Sequence, residues 1–308
     1  MKAPELIKTP ELPEEIIDAA NEGQLVLFVG AGLSMLAGLP SWGQLAWNVL
    51  KELRDDAQLI NYSGMDQLAK LDDPRKQLSI ADQIAKEGGY EIDFRKHLQC
   101  SSGASEVYDH INRIGCPCVT TNYDQLLAPK FVSPDGSTTP KEPTRIFDRS
   151  QFYTHHLNKP GTVVHLHGAI EDRGSMIVTT REYLEHYDNP LVKEFLGELF
   201  ERKTVLFIGY GLAEAEIFEH VLRRGNARSG TLEQRFALQG FYQSQAPLYK
   251  HIHNYYKPFG VRLIGFEMDT NGHGQLKHIA REWAEKVKVI EAGLVEDLSF
   301  MDGVLADA

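Results

Sequence analysis

Four short polar segments in this chain each follow an apolar run. Their residue types are those that approach phosphates, hold sugar hydroxyls and move protons. The run Leu25–Val29 leads into Gly30-Ala31-Gly32-Leu33-Ser34. Glycines there let the backbone come close to a pyrophosphate, and the helix start that follows offers free N–H groups. A second run ends in Thr120-Thr121-Asn122-Tyr123-Asp124, an amide and a carboxylate two residues apart. A third, Thr162–Leu166, passes through His165 to His167-Gly168. Histidine is suited to proton transfer because its ordinary pKa lies near neutrality. The fourth, Thr204–Ile208, ends in Gly209-Tyr210-Gly211, another turn that permits close approach. Each segment has a plain structural reading: a tight turn, an Asn/Asp cap, a core histidine. The signal is that all four follow buried runs. With a period of two, His165 and His167 point to the same side of their strand. His165 is assigned to the core, and His167, at the strand exit, to chemistry. Ser34 either meets phosphate or caps a helix. Tyr123 and Trp42 read as core aromatics.

These segments need a scaffold that brings them to one edge. Continuous apolar runs mark strands buried on both faces, here 25–29, 117–121, 162–166 and 204–208, with shorter ones at 236–238 and 261–266. Helical sequence separates them. Ser41 caps a helix carrying Trp42, Leu45, Ala46, Val49, Leu50 and Leu53; residues 180–202 form another; a last one carries Leu276, Ile279, Ala280, Trp283, Val287 and Ile290. Strands alternating with helices imply crossovers and a doubly wound parallel α/β sheet, Rossmann-like, with ligands at the carboxyl ends of its strands. Residues 54–115 read as a helical insertion. Residues 129–161 hold five prolines and read as loop, and 294–308 as a weakly patterned acidic tail. A dehydrogenase site needs an acid at the end of a second strand about 20 residues on. Glu52, Asp55 and Asp56 lie instead in helical sequence.

Composition narrows the classes further. The 308 residues are 42% apolar and 24% charged, enough for a packed core. Lys plus Arg is 32 against 43 Asp plus Glu, a net charge of −11, which argues against direct nucleic-acid binding. The longest apolar stretch, Val26 to Pro40, is cut by Gly30, Gly32, Ser34 and Gly38, so no membrane span is expected. No signal peptide is read at the start, and the expected location is cytoplasmic. Three cysteines fit a reducing compartment. Cys116-Pro117-Cys118 has no second pair, so no four-cysteine zinc site forms and no metal is expected.

Together the motifs resemble a family. Gly30-Ala31-Gly32-Leu33-Ser34 with Ala37-Gly38-Leu39-Pro40 resembles the phosphate loop of sirtuins, the silent-information-regulator type of NAD-using enzyme. Thr121-Asn122-Tyr123-Asp124 resembles their glutamine-asparagine-x-aspartate motif, His167-Gly168 their histidine-glycine, and Gly209-Tyr210-Gly211 their later nucleotide-contacting turn. The resemblance spans about residues 23–225. There are departures. No cysteine lies between Gly168 and Thr204, Thr121 stands in the glutamine position, and the loop continues Ser41-Trp42-Gly43 without the usual aspartate, aromatic and arginine. In this the chain is similar to the zinc-free sirtuin-like domains of bacterial anti-phage defence, found in Thoeris, Argonaute-associated and ATPase-coupled systems. The resemblance implies a single sirtuin-like domain over 1–308 and hydrolysis of NAD, which is the substrate. It implies catalytic roles for Asn122 and His167. Gly30, Ala31, Gly32 and Ser34 would meet the pyrophosphate, Asp124 the nicotinamide side, and Gly209, Tyr210 and Gly211 the adenosine side. It further implies a homo-oligomer restrained by self-assembly, by a phage trigger or by a separate partner, an ATPase or Argonaute-like protein. Two other functions stay open: NAD-dependent deacylation or ADP-ribosyl transfer, and a non-catalytic scaffold that senses NAD or ADP-ribose.

Overall fold

The computed structural model describes residues 5–99, 105–130, 142–212, 217–221 and 234–287. The tail 294–308 and Ile290 lie outside the described residues. Seven strands form one parallel sheet: β1 (Leu25–Val29), β2 (Cys118–Thr120), β3 (Thr144–Ile146), β4 (Thr162–His165), β5 (Thr204–Ile208), β6 (Arg235–Phe241) and β7 (Val261–Glu267). Their spatial order is β3-β4-β2-β1-β5-β6-β7, every pair parallel. The chain leaves β1 first toward β2 and later returns to its other side with β5. The carboxyl end of β1 is therefore the switch point, where a doubly wound sheet opens a crevice.

Helices cover both faces, so the central strands are buried throughout. Leu25, Leu27 and Val29 of β1 face a layer made by α1 (Glu14–Asn21), α2 (Ala31–Leu36), α7 (Glu106–Ile114) and α11 (Gln275–Lys286). Val26 and Phe28 face α8 (Thr180–Asp188), α9 (Pro190–Arg202) and α10 (Ala246–Tyr256). Burial of every side chain of β1, β2, β4 and β5 explains why these strands read as runs and not as alternation.

A third core lies beyond the sheet. Here α3 (Trp42–Asp55), α4 (Tyr62–Ala69), α5 (Pro74–Glu87) and α6 (Phe94–His97) bury Leu45, Val49, Leu53, Leu78 and Ala81 against one another and against Tyr123, Met176 and Val178. The helical span 54–115 thus has two destinations, since α7 packs on the sheet and not into this cluster. Ser41 caps α3 in a capping box: its hydroxyl accepts from Gln44 N–H at 3.3 Å, and Gln44 Oε1 accepts from Ser41 N–H at 2.8 Å.

Some elements differ from the sequence reading. β3 falls in the stretch read as loop. It is a three-residue edge strand with only Ile146 buried, too little to leave an apolar run. Residues 180–202 are two helices, because Pro190 has no N–H to continue α8. Asn189 caps the new helix, its Oδ1 accepting from Leu191 N–H at 2.9 Å. Val287 is extended, so α11 ends at Lys286. Among the described residues no helix is long and apolar enough to cross a membrane.

Candidate active site

The turns after β1 and β5 are clamped together by glycine. Gly30 N–H donates to Ile208 O at 3.0 Å and Gly32 N–H to Gly209 O at 2.8 Å. A Cβ on Gly30 or Gly32 would lie 2.7 or 2.8 Å from Gly209 O, and Gly209 itself has φ +63. These positions need glycine because two backbones meet there. Above the clamp, Ala31, Thr121, Gly209, Tyr210 and Gly211 line a cleft of about 270 Å³. Its facing wall is Trp42, Asp73, Pro74, Arg75 and Tyr183. Gly211 borders open space, with nothing described within 4 Å of an added Cβ. Tyr210 reaches the cleft, but its ring stacks on Phe207 at 5.7 Å and packs in the core. Trp42 lines the cleft and also packs against two of the apolar clusters, its ring 5.9 Å from Tyr123 and 6.3 Å from Tyr183. Tyr123 is interior, its hydroxyl donating to Ile177 O at 2.6 Å.

A smaller recess of about 40 Å³ adjoins the cleft, sharing Ala31, Trp42 and Thr121 with it. Ser34, Asn122 and Asp124 line it. Asn122 is 6% exposed and held at both ends. Its Nδ2 donates to Gly30 O at 3.0 Å, and its backbone N–H to Thr120 Oγ1 at 3.0 Å. Ser34 lies within α2, whose N-cap is Gly30, so it is not a helix cap. Its hydroxyl donates to Asp124 Oδ2 at 2.6 Å and lies 3.1 Å from the Tyr108 hydroxyl. Burial raises the Asp124 pKa above the ordinary carboxylate value, and the Ser34 hydrogen bond opposes the shift.

The two histidines part company. β4 ends at His165, whose side chain is interior with Nδ1 3.0 Å from Asn122 O. Burial pushes its pKa down to about 4. After it the chain turns, closed by Gly168 N–H donating to His165 O at 3.0 Å. Gly168 has φ +82, and a Cβ there would overlap the Ser175 carbonyl. The turn breaks the period of two. His167 faces α8, on the opposite side of the sheet from Val163, and not the side of His165. His167 is 0% exposed rather than open to the crevice. Its Nε2 is 2.7 Å from the Tyr187 hydroxyl and its Nδ1 3.2 Å from that of Tyr183. Burial lowers its pKa well below the usual value, with smaller contributions from His186 and Arg75. A neutral ring satisfies both tyrosines, one nitrogen donating and the other accepting. Tyr183 therefore stands between His167 and the cleft. Sequence reasoning missed Tyr183 and Tyr187; their i, i+4 spacing on α8 was the available signal. It also missed Arg75, whose guanidinium lies 3.9 Å over the Tyr183 ring. Among the described residues no group of three or more His, Cys, Asp or Glu is placed to hold a metal ion.

Residues 118–263 match the family model of the SIR2-like domain. The chain is 23% identical over 282 residues to Defense-associated sirtuin 2 of Bacillus subtilis, covering 87% of this chain and 26% of that protein. It is 27% identical over 209 residues to NAD(+) hydrolase ThsA of Enterococcus faecium, covering 65% of this chain and 40% of the relative. For NAD(+) hydrolase ThsA of Cytobacillus dafuensis the figures are 26% over 219 residues, 69% and 40%. The chain thus spans between a quarter and two fifths of the length of these relatives.

Proposed function

We propose that this chain, which carries a SIR2-like domain over residues 118–263, hydrolyses NAD to nicotinamide and ADP-ribose as an effector of bacterial anti-phage defence. The observation that carries the reading is convergence. Asn122 and the Ser34–Asp124 pair line the recess that adjoins the cleft at the switch point of the sheet, Tyr183 lines the cleft itself, and His167 lies buried behind Tyr183.

NAD brings a good leaving group, because its nicotinamide is cationic. When the glycosidic C1′–N bond breaks, its electron pair neutralises that ring and leaves oxocarbenium character on the ribose. Water adds at C1′ and gives up one proton. In this reading Asn122, fixed by Gly30 O, orients the ribose and the attacking water. Asp124 and Ser34 meet the nicotinamide side in the recess. Ala31 and Gly211 present backbone to the pyrophosphate, with Gly30, Gly32 and Gly209 holding the two turns close enough. Tyr210 and Gly211 border the adenosine. Neutral His167 accepts the proton through the Tyr183 hydroxyl, and Tyr187 fixes the tautomer by accepting from Nε2. No metal enters this scheme.

The rest of the reading concerns organisation. We place residues 1–308 in one catalytic domain with a helical insertion and an acidic tail. It works in the cytoplasm as a homo-oligomer, restrained until a phage trigger or a partner of the ATPase or Argonaute-like kind releases it. A free NAD hydrolase would drain its own host, which is the reason to expect restraint. Incubation with NAD, with and without an acylated peptide, tests the activity by chromatography of nicotinamide. Release independent of peptide supports hydrolysis. Release only with deacylation makes the protein a deacylase. NAD retained intact makes it a sensing scaffold.

A further inference from the structure

We propose that Arg75 grips the diphosphate of the substrate from the helical wall of the cleft, and that the same guanidinium holds the Tyr183 ring against His167. The proposal rests on the NAD reading of this site and adds to it a specificity residue from the helical cluster.

The first argument is about donors. A diphosphate brings two negative charges that need N–H partners or a cation. In this structure Gly30 and Gly32 N–H groups are spent on the Ile208 and Gly209 carbonyls. The glycine turn supplies close approach but not those two donors. The second argument is about charge. Of the side chains lining the cleft, Arg75 carries the positive one, in a chain whose net charge is −11. Arginine suits the task because its planar fork meets two phosphate oxygens at once.

Placement gives the third argument. Arg75 is the second residue of α5, after Pro74, and Asp73 caps the helix by accepting from Arg75 N–H at 2.9 Å. The cap fixes the backbone from which the side chain departs. Asp73 lines the cleft as well, with its Oδ1 taken by that bond. The guanidinium then lies 3.9 Å over the Tyr183 ring, a cation–π contact, while the Tyr183 hydroxyl is 3.2 Å from His167 Nδ1. The charge of Arg75 is felt as far as the His167 ring. One side chain thus touches both the place for the phosphates and the ring that reaches the proton acceptor.

The test uses the intact protein with Arg75→Gln and Arg75→Lys. Calorimetry reads the affinities for NAD, ADP-ribose and nicotinamide riboside, and steady-state kinetics reads KM and kcat for NAD. Losing a charge-assisted contact should weaken NAD and ADP-ribose by roughly tenfold to a hundredfold in Arg75→Gln, and kcat should fall as well, because the Tyr183 ring loses its brace against His167. Lysine, a point charge without the fork, should recover part of the loss. Nicotinamide riboside, which has no phosphate, should bind wild type and Arg75→Gln alike. Unchanged NAD affinity in Arg75→Gln, or an equal loss for nicotinamide riboside, overturns the proposal while leaving NAD hydrolysis standing. Wild-type protein that neither binds nor cleaves NAD overturns the functional reading and this proposal with it.

Discussion

The two walls of the cleft are built by different means. The sheet wall consists of turns that follow β1, β2 and β5, and its polar groups are fixed by backbone. Asn122 Nδ2 donates to Gly30 O, Asp124 Oδ1 accepts from Leu126 N–H, and Gly32 N–H closes onto Gly209 O. The helical wall comes from α3, α5 and α8, and its groups meet one another side chain to side chain. Arg75 lies on Tyr183, Tyr183 meets His167, and His167 meets Tyr187. A backbone-held wall is rigid and suits the orientation of a sugar. A wall of stacked rings and hydroxyls is adjustable and suits proton movement and control. In the proposed reaction the residue closest to the substrate is then not the base itself, since Tyr183 lines the cleft in front of His167.

The comparison predicts the largest effect at His167. Its truncation to Ala removes the proposed base, so NAD turnover should fall roughly 10²–10⁴-fold. It also leaves a buried gap between two hydroxyls, so stability should drop by about 2–4 kcal/mol. Denaturant unfolding alongside kinetics checks both. Turnover near wild type would remove His167 from the helical wall's chemistry.

The second effect is on acid stability. A histidine whose folded pKa lies below its unfolded one contributes its full stability above about pH 6.5, and that share is lost as the pH falls through the gap. His165 and His186 are pushed to about 4, and His167 is lowered too. Between pH 7.5 and 5 each of the first two should remove up to ~2 kcal/mol. Asp124 runs the other way: its raised pKa means that acidification relieves a strain felt when it is ionised. Three histidines outweigh it. Urea midpoints across that range should fall, and less so in His186→Phe, which keeps a ring against Phe152. A flat profile would mean that these rings are not held neutral.

A smaller effect separates the two tyrosines. Tyr183→Phe and Tyr187→Phe each lose one hydrogen bond, about 0.5–1.5 kcal/mol of stability. If Tyr183 carries the proton, its variant alone should lose at least about tenfold in kcat. Equal kinetics in the two variants would collapse the distinction between a cleft-facing and a supporting hydroxyl.

The sheet wall was legible in the sequence for a physical reason. Strands buried on both faces leave apolar runs, and a turn after such a run can only sit at a sheet edge. Thus the sequence pattern alone puts Gly30, Asn122, Asp124 and Gly209 at one edge. The helical wall left no such mark. Asp73 and Arg75 lie in polar helical sequence whose cleft-facing side looks like any solvated surface, and Tyr183 lies in a helix end that read as continuous through Pro190. The His167 position was read correctly as a strand exit, but its direction was not. The turn closed at Gly168 rotates the side chain away from the period of two, and only the contact of Gly168 with Ser175 requires that turn.

The central claim is that this cleft binds NAD and cleaves its glycosidic bond. Asn122→Ala tests it most directly, because Asn122 belongs to the rigid wall and its loss leaves the backbone bonds that clamp the two glycine turns in place. Wild type and variant are incubated with NAD, and bound NAD and free nicotinamide are measured together. The account predicts that both proteins bind NAD, that wild type releases nicotinamide, and that Asn122→Ala releases it roughly 10²–10³-fold more slowly. Equal release by the two proteins, or failure of both to bind NAD, would contradict it.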